Sequence, residues 1–173
     1  MSWRNAKWAV PALCLMVALG GCQVRPLYAA GPDGKSGAAA NMPAIQVDAP
    51  GNRVEQVFRN TLLFGIRGGA EAPETRYHMT YQLNLHEQDA AVAPVTGTAS
   101  VVLIIGELSF LVEDKQTNKA LIADHVTTQT SYNHSSQSFA NARADKDAQE
   151  RAAAALASLA QVRIAAYFAT HGG

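Results

Sequence analysis

Tyr77-His78-Met79-Thr80-Tyr81-Gln82-Leu83-Asn84-Leu85-His86 is the stretch whose reading decides the fold. Successive side chains of a strand point to opposite faces. Tyr77, Met79, Tyr81, Leu83 and Leu85 therefore share one face, and His78, Thr80, Gln82, Asn84 and His86 share the other. Thr75 to Glu87 is thus a half-buried strand with one wet face. Downstream, Ala99 to Val112 is a second, more apolar strand, with Val101, Leu103 and Ile105 on one face and Val102 and Ile104 on the other. Gly106 falls inside it and is expected to mark a bulge or a break. Asp114-Lys115-Gln116-Thr117-Asn118 is polar and hairpin-like, and Leu121 to Tyr132 returns as a third long strand, rich in Thr.

Upstream of the strand the period changes. Ala44-Ile45-Gln46-Val47-Asp48 alternates as a short strand, ended by Pro50-Gly51-Asn52, with Asn52 placed as an N-cap. Val54, Val57, Phe58, Leu62 and Ile66 then recur at spacings of three and four, the stripe of an amphipathic helix, and Gly68-Gly69 stops it. Arg59 is spaced to pair with Glu55 at i,i+4. At the other end, Asn141 to Ala169 is a long Ala-rich helix. Its expected buried stripe is Ala148, Ala152, Ala155, Leu159, Val162 and Ala166, widened by Leu156 and Tyr167. Asp145, Asp147 and Glu150 near its start suit the helix dipole. The order β-α-β-β-β-α predicts an α+β, two-layer sandwich: a mainly antiparallel four-stranded sheet with two helices on one face.

The N-terminal segment is of a different kind. Arg4 and Lys7 precede an apolar run from Ala9 to Leu19, and Leu19-Gly20-Gly21-Cys22 has the form of a bacterial lipobox. The run is about half the roughly 20 residues a membrane span requires. Residues 1–21 are therefore expected to be a lipoprotein signal peptide, with Cys22 the lipidated residue, and multiple acyl chains give stable anchoring. Gln23 follows the cysteine, where an Asp would favour retention in the inner membrane, so the outer membrane is the expected destination. Cys14 falls in the discarded segment, which leaves no disulfide to hold the mature fold. Residues 22–43 are expected to be anchor and flexible linker, since Gly, Ala, Pro and Ser dominate Gly31 to Ala40. The folded domain is expected over 44–173. Val24-Arg25-Pro26-Leu27-Tyr28, near the anchor, is more apolar and is a candidate docking segment.

The full chain carries 14 Lys and Arg against 14 Asp and Glu; without Arg4 and Lys7 the balance is slightly acidic. That argues against a nucleic-acid binder. Catalytic patterns are missing from the sequence. His78 and His86 are eight residues apart on one strand face, roughly 27 Å at strand rise, too far to share a metal. There is no HExxH motif, and Gly65 to Gly69 lacks the phosphate-loop pattern and follows a helix where a phosphate loop would open one. Asp89, Glu113, Asp114 and Asp124 read as solvated carboxylates of turns and strand edges, and Ser109, Ser131 and Ser138 lack the context of a nucleophile elbow. No enzyme activity, metal or cofactor is expected.

Gly21-Cys22-Gln23-Val24-Arg25-Pro26-Leu27-Tyr28, the helix Arg53-Val54-Glu55-Gln56-Val57-Phe58-Arg59-Asn60-Thr61-Leu62 and the closing Ala166-Tyr167-Phe168 together resemble the LPS-assembly lipoprotein LptE family, in its alphaproteobacterial form. The family's usual start reads closer to Cys-Gly-Phe-Arg-Pro-Leu-Tyr, from which Gln23-Val24 departs. The resemblance implies a non-enzymatic outer-membrane lipoprotein that sits inside the LptD β-barrel as a plug and helps lipopolysaccharide reach the outer leaflet. It carries over no lipid-contact residues. Arg76, Lys115 and Lys119, at strand ends and in the hairpin, are the candidates for lipopolysaccharide phosphates, against the plainer role of surface charges that discourage edge pairing. The rival expectations are a stand-alone periplasmic lipid-binding or transport-auxiliary lipoprotein, which needs an apolar cavity, and a lipoprotein enzyme.

Overall fold

Asn52 starts the first long helix as its type predicts. Its Oδ1 accepts the Glu55 N–H at 2.9 Å, its Nδ2 donates to Glu55 Oε1 at 2.8 Å, and Glu55 Oε2 accepts the Gly51 N–H at 2.6 Å. This reciprocal cap satisfies N–H groups that a helix start leaves open. It also occupies Glu55, so the expected Glu55–Arg59 pair does not form. Arg59 instead donates from Nε to the Val47 carbonyl at 3.4 Å. The helix ends at Gly68, whose φ of 61° is left-handed and whose N–H bonds the Phe64 carbonyl at 2.7 Å.

The computed structural model describes residues 38–71, 73–92 and 99–171. Its elements run in chain order as α1 (Ala38–Asn41, continued by a 3-10 turn over Met42–Ala44), β1 (Ile45–Val47), α2 (Arg53–Arg67), β2 (Tyr77–Val92), β3 (Ala99–Asp114), β4 (Lys119–Asn133) and α3 (Ser138–His171). The sheet order is β1-β2-β3-β4. β1 pairs parallel to β2 through Ile45↔Tyr77 to Val47↔Met79, and β2, β3 and β4 form an antiparallel meander. The α+β sandwich in the order β-α-β-β-β-α is thus the observed architecture.

The helices cover one face of the sheet. Phe58 and Leu62 of α2, Met79 of β2, Leu108 and Val112 of β3, and Leu156 and Ile164 of α3 are fully buried together. Each such side chain contributes roughly 1.5–3 kcal/mol of burial. Phe58 packs on Tyr81 with ring centroids 4.9 Å apart, and Tyr77 on Phe168 at 5.0 Å. α3 is long and apolar enough to cross a membrane by length and composition, but its buried residues from Ala153 to Phe168 belong to this core. A smaller cluster of Ile104, Ala148 and Ala152, flanked by Leu85 and Tyr132, continues the core towards the far end of the sheet.

Four further expectations change in the fold. The stretch expected to be linker is helical from Ala38, and Ala38 and Met42 are buried in the core, so the packed domain begins before residue 44. β3 runs unbroken through Gly106, and the irregularities fall instead near Asp89–Val92 and at Val112/Glu113. α3 starts at Ser138 and has no acid in its first turn, so Asp145, Asp147 and Glu150 sit too deep to act on its dipole. Its buried set is Ala152, Ala153, Leu156, Ala157, Ala160, Ile164, Ala165 and Phe168 with Ala148, whereas Leu159 and Val162 of the expected stripe are 40% and 51% exposed.

Candidate interaction surfaces

The meander and the β1–β2 pairing bring the three expected cations to one end of the sheet. Asp114 closes β3 and is only 6% exposed. Its Oδ1 accepts the N–H groups of Gln116 at 2.8 Å and Thr117 at 3.1 Å, which fold the turn, and its carbonyl accepts the Asn118 N–H at 2.8 Å. Asn118 takes a φ of 52°, a left-handed geometry that Asn tolerates. Arg76 completes the shell, with Nε 3.2 Å from Asp114 Oδ2 and the guanidinium 5.2 Å from the centre of the Tyr77 ring. The Gln116 amide first, then the Thr117 amide and Arg76, hold the Asp114 carboxyl below the usual carboxylate range against the opposing effect of burial. Asp114, expected as a solvated carboxylate, is the buried anion around which this end is built. An Asp opening a tight turn was the available signal.

Lys115 and Lys119 complete the group. The Lys115 N–H bonds the Arg76 carbonyl at 3.0 Å, while its Nζ donates to Gln46 Oε1 at 3.1 Å and Thr75 Oγ1 at 3.2 Å. Lys119 faces Asp114 across the β3–β4 ladder and is exposed. Arg76 keeps 56% of its side chain in solvent while it holds Asp114. The three cations therefore share one rim, two of them with polar partners of their own.

The second surface is the sheet face that carries no helix among the described residues. Rows run across it in register: Gln82, Ser109 and His125; Asn84, Glu107 and Thr127; His86, Ile105 and Gln129. The polar face expected for β2 is there. β3 adds half-buried Leu103, Ile105 and Leu111 in the middle. The histidines are spread out: His78 Nε2 lies 2.8 Å from Asp48 Oδ1, His86 Nε2 3.9 Å from Glu107 Oε2, and His125 Nδ1 3.0 Å from Ser109 Oγ. Among the described residues no group of His, Cys, Asp and Glu could hold a metal ion. On the helix side, a groove of about 240 Å3 opens between the cap residue Asn52, Val54 of α2, Gln149 of α3 and Leu83, Leu85 and Ile104 of the sheet, with Glu87 at its rim. Partial burial, and then the Asp145 carboxyl beside it, hold the Glu87 carboxyl above its ordinary range. Cys22 and the segment Val24 to Tyr28 lie outside the described residues.

The fold is one seen before. The chain is similar to a protein from Caulobacter crescentus CB15 described as a lipoprotein (TM-score 0.64, 18% identity, covering 79% of this chain and 98% of that one). It is also similar to a minor lipoprotein from Acinetobacter baumannii (TM-score 0.52, 18% identity, 70% and 88%) and to rare lipoprotein B from Shewanella oneidensis (TM-score 0.52, 13% identity, 73% and 92%). No protein-family model matches the chain, and no curated protein sequence matches it. At these identities the likeness shows a shared fold. The α+β sandwich is thus a fold shared with several lipoproteins.

Proposed function

We propose that this protein is an outer-membrane lipoprotein, lipidated at Cys22, that plugs the LptD β-barrel and assists lipopolysaccharide assembly there without catalysing a reaction. The observation that carries the proposal is the sheet face left uncovered among the described residues, in a fold shared with lipoproteins and on a chain whose Leu19-Gly20-Gly21-Cys22 has the form of a lipobox. A polar face with a half-buried apolar centre suits a wet barrel lumen, where it meets side chains and water together. The rim of Arg76, Lys115 and Lys119 supplies cations for lipopolysaccharide phosphates, with Arg76 and Lys119 facing solvent. The stand-alone lipid carrier is less well supported, because the groove beside α2, about 240 Å3, and the larger hollow of about 410 Å3 around Tyr81, Phe110 and Leu111 both lie open to solvent, whereas a carrier encloses most of its ligand.

The test is an affinity pulldown of the tagged full chain from detergent-solubilised outer membrane. A large β-barrel recovered in equal amount and retained through washing is the expected result. Elution alone, or with inner-membrane transporter subunits, overturns the plug.

A further inference from the structure

We infer that the outer edge of β4 around Thr127 and Gln129 is a strand-addition site for an extended segment of a partner protein, with an apolar side chain of that segment seated on Leu159. The site goes beyond the function proposed above and does not depend on it.

β4 ends the sheet, so the backbone groups on its far side have no ladder partner. The chain covers two of them itself. The His125 N–H donates to Asp124 Oδ1 at 2.8 Å, and the Ser131 carbonyl accepts from Arg151 Nη2 at 2.9 Å. Residues two apart on a strand direct their backbone groups to the same side, so the outward set runs 125, 127, 129, 131. Between the two covered positions, the outward N–H and C=O groups of Thr127 and Gln129 have no partner among the described residues. Edge strands normally defend themselves with Lys, Pro or a bulge. β4 holds no Lys, Arg or Pro from Ala120 to Asn133, and its one irregularity lies at the other end, by Val112/Glu113.

α3 roofs this opening. Asp147, Arg151, Ala155, Leu159 and Arg163 recur every four residues and so share one flank of the helix. The row is tied to β4 at two points, by Arg151 on Ser131 and by Arg163 Nε 3.5 Å from Asp124 Oδ2. The flank therefore overhangs the edge, with Ala155 and Leu159 at its middle and Leu159 40% exposed. From Arg151 to Arg163 is about 18 Å of helix, and from His125 to Ser131 about 20 Å of strand. The two lengths match, and together they frame a slot some six residues long.

A second copy of the chain does not fit the slot. Two β4 strands paired antiparallel about a two-fold axis would lie about 4.8 Å apart. Each would carry its own α3 to the same edge on the same face, where packed helices need about 8–10 Å between axes. A strand without a covering helix fits. Arg151 and Arg163 already hold Asp147 and Asp124, so the slot makes no demand for charge on the occupant. It calls for alternation, with an apolar residue under Leu159 and polar ones beside the exposed Thr127 and Gln129 side chains.

The test uses the full chain, 15N-labelled in detergent micelles, and a capped heptapeptide of alternating threonine and valine with a central leucine. On binding, the Thr127 and Gln129 amides are expected to shift and to become protected from exchange. Gln129→Pro removes an outward N–H and leaves the β3–β4 ladder intact; it should weaken binding about tenfold. Leu159→Glu, a change at an exposed position, should do the same and carries the test if the proline variant fails to fold. Equal affinity in a folded variant, protection at other amides, or no binding overturns the inference. So does a dimer of the full chain in sedimentation that Gln129→Pro abolishes, which would give the edge to a second copy. The peptide contains no barrel, so these outcomes leave the pulldown result untouched.

Discussion

Gly106 of β3 lies directly beneath Leu156 of α3: a Cβ built on Gly106 would stand 3.1 Å from Leu156 Cδ1 and 3.2 Å from both Leu85 Cδ2 and Thr128 Cγ2. The glycine is there for the helix, which approaches the sheet as closely as its alanines allow. Gly106→Ala asks three side-chain tips to give by a few tenths of an ångström, and Gly106→Val asks for more than they have. Gly106→Val is expected to cost about 1–3 kcal/mol by overpacking. Leu156→Ala, which empties the same contact from above, should cost about 2–5 kcal/mol. Urea unfolding of the two variants measures both.

Asp114 sets an acid limit on stability. Its folded pKa lies below its ordinary value, chiefly through the Gln116 amide. A depressed carboxyl contributes stability that is complete above its unfolded pKa and is lost as the pH falls through the folded one. Asp114→Asn should therefore lower the melting temperature at neutral pH and flatten its decline in acid. Lys119→Ala, at an exposed position, should change neither. Melting curves taken from neutral pH downward distinguish the two.

Glu87 has the opposite sign. Its carboxyl is held above the ordinary range by partial burial and by Asp145. The folded state binds the proton more tightly than the unfolded one, so stability falls as the pH rises from the unfolded pKa through the folded pKa. Glu87→Gln should raise the melting temperature at neutral pH, and the gain should vanish below the ordinary carboxylate range. A gain that persists in acid would assign the effect to something other than ionisation.

Among the described residues, the Tyr81 hydroxyl is buried without a hydrogen-bond partner, beneath α2 and against Phe58. An unmet buried hydroxyl costs about 1–3 kcal/mol of desolvation, and its removal with shape retained is close to neutral or stabilising. Tyr81→Phe should leave the urea midpoint unchanged or raise it. Tyr77→Phe, which loses a 3.1 Å bond from its hydroxyl to Asn41 Oδ1, should lower it.

The alternation of Tyr77 to Leu85 was enough to set β2, its wet face and the meander that follows, because strand periodicity is strict and each face meets a different medium. Asn52 and Gly68 bounded α2 by chemistry that is local to the chain. The rotation of α3 was not legible. In a helix built largely of alanine every face looks alike, and Leu159 and Val162 weigh as much in the pattern as Leu156 and Ile164 do. The sheet decides, by accepting Leu156 over Gly106 and Ile164 in the main core. The three cations were found as residues but not as a group, since their common centre is Asp114 and its burial depends on strands far apart in sequence. The pairing of β1 was equally closed to inspection, because three alternating residues carry no mark of strand direction.

That parallel pairing has a consequence for the order in which the molecule assembles. β3 and β4 meet across a short turn, whereas Ile45 and Tyr77 meet only after α2 has crossed between them. Contacts that close long loops form late, because the loop entropy is lost before the contact returns anything. The meander is the expected folding nucleus, with β1 arriving on an already formed β2. Substitutions at Val112 should then slow folding, while substitutions at Val47 should mainly speed unfolding.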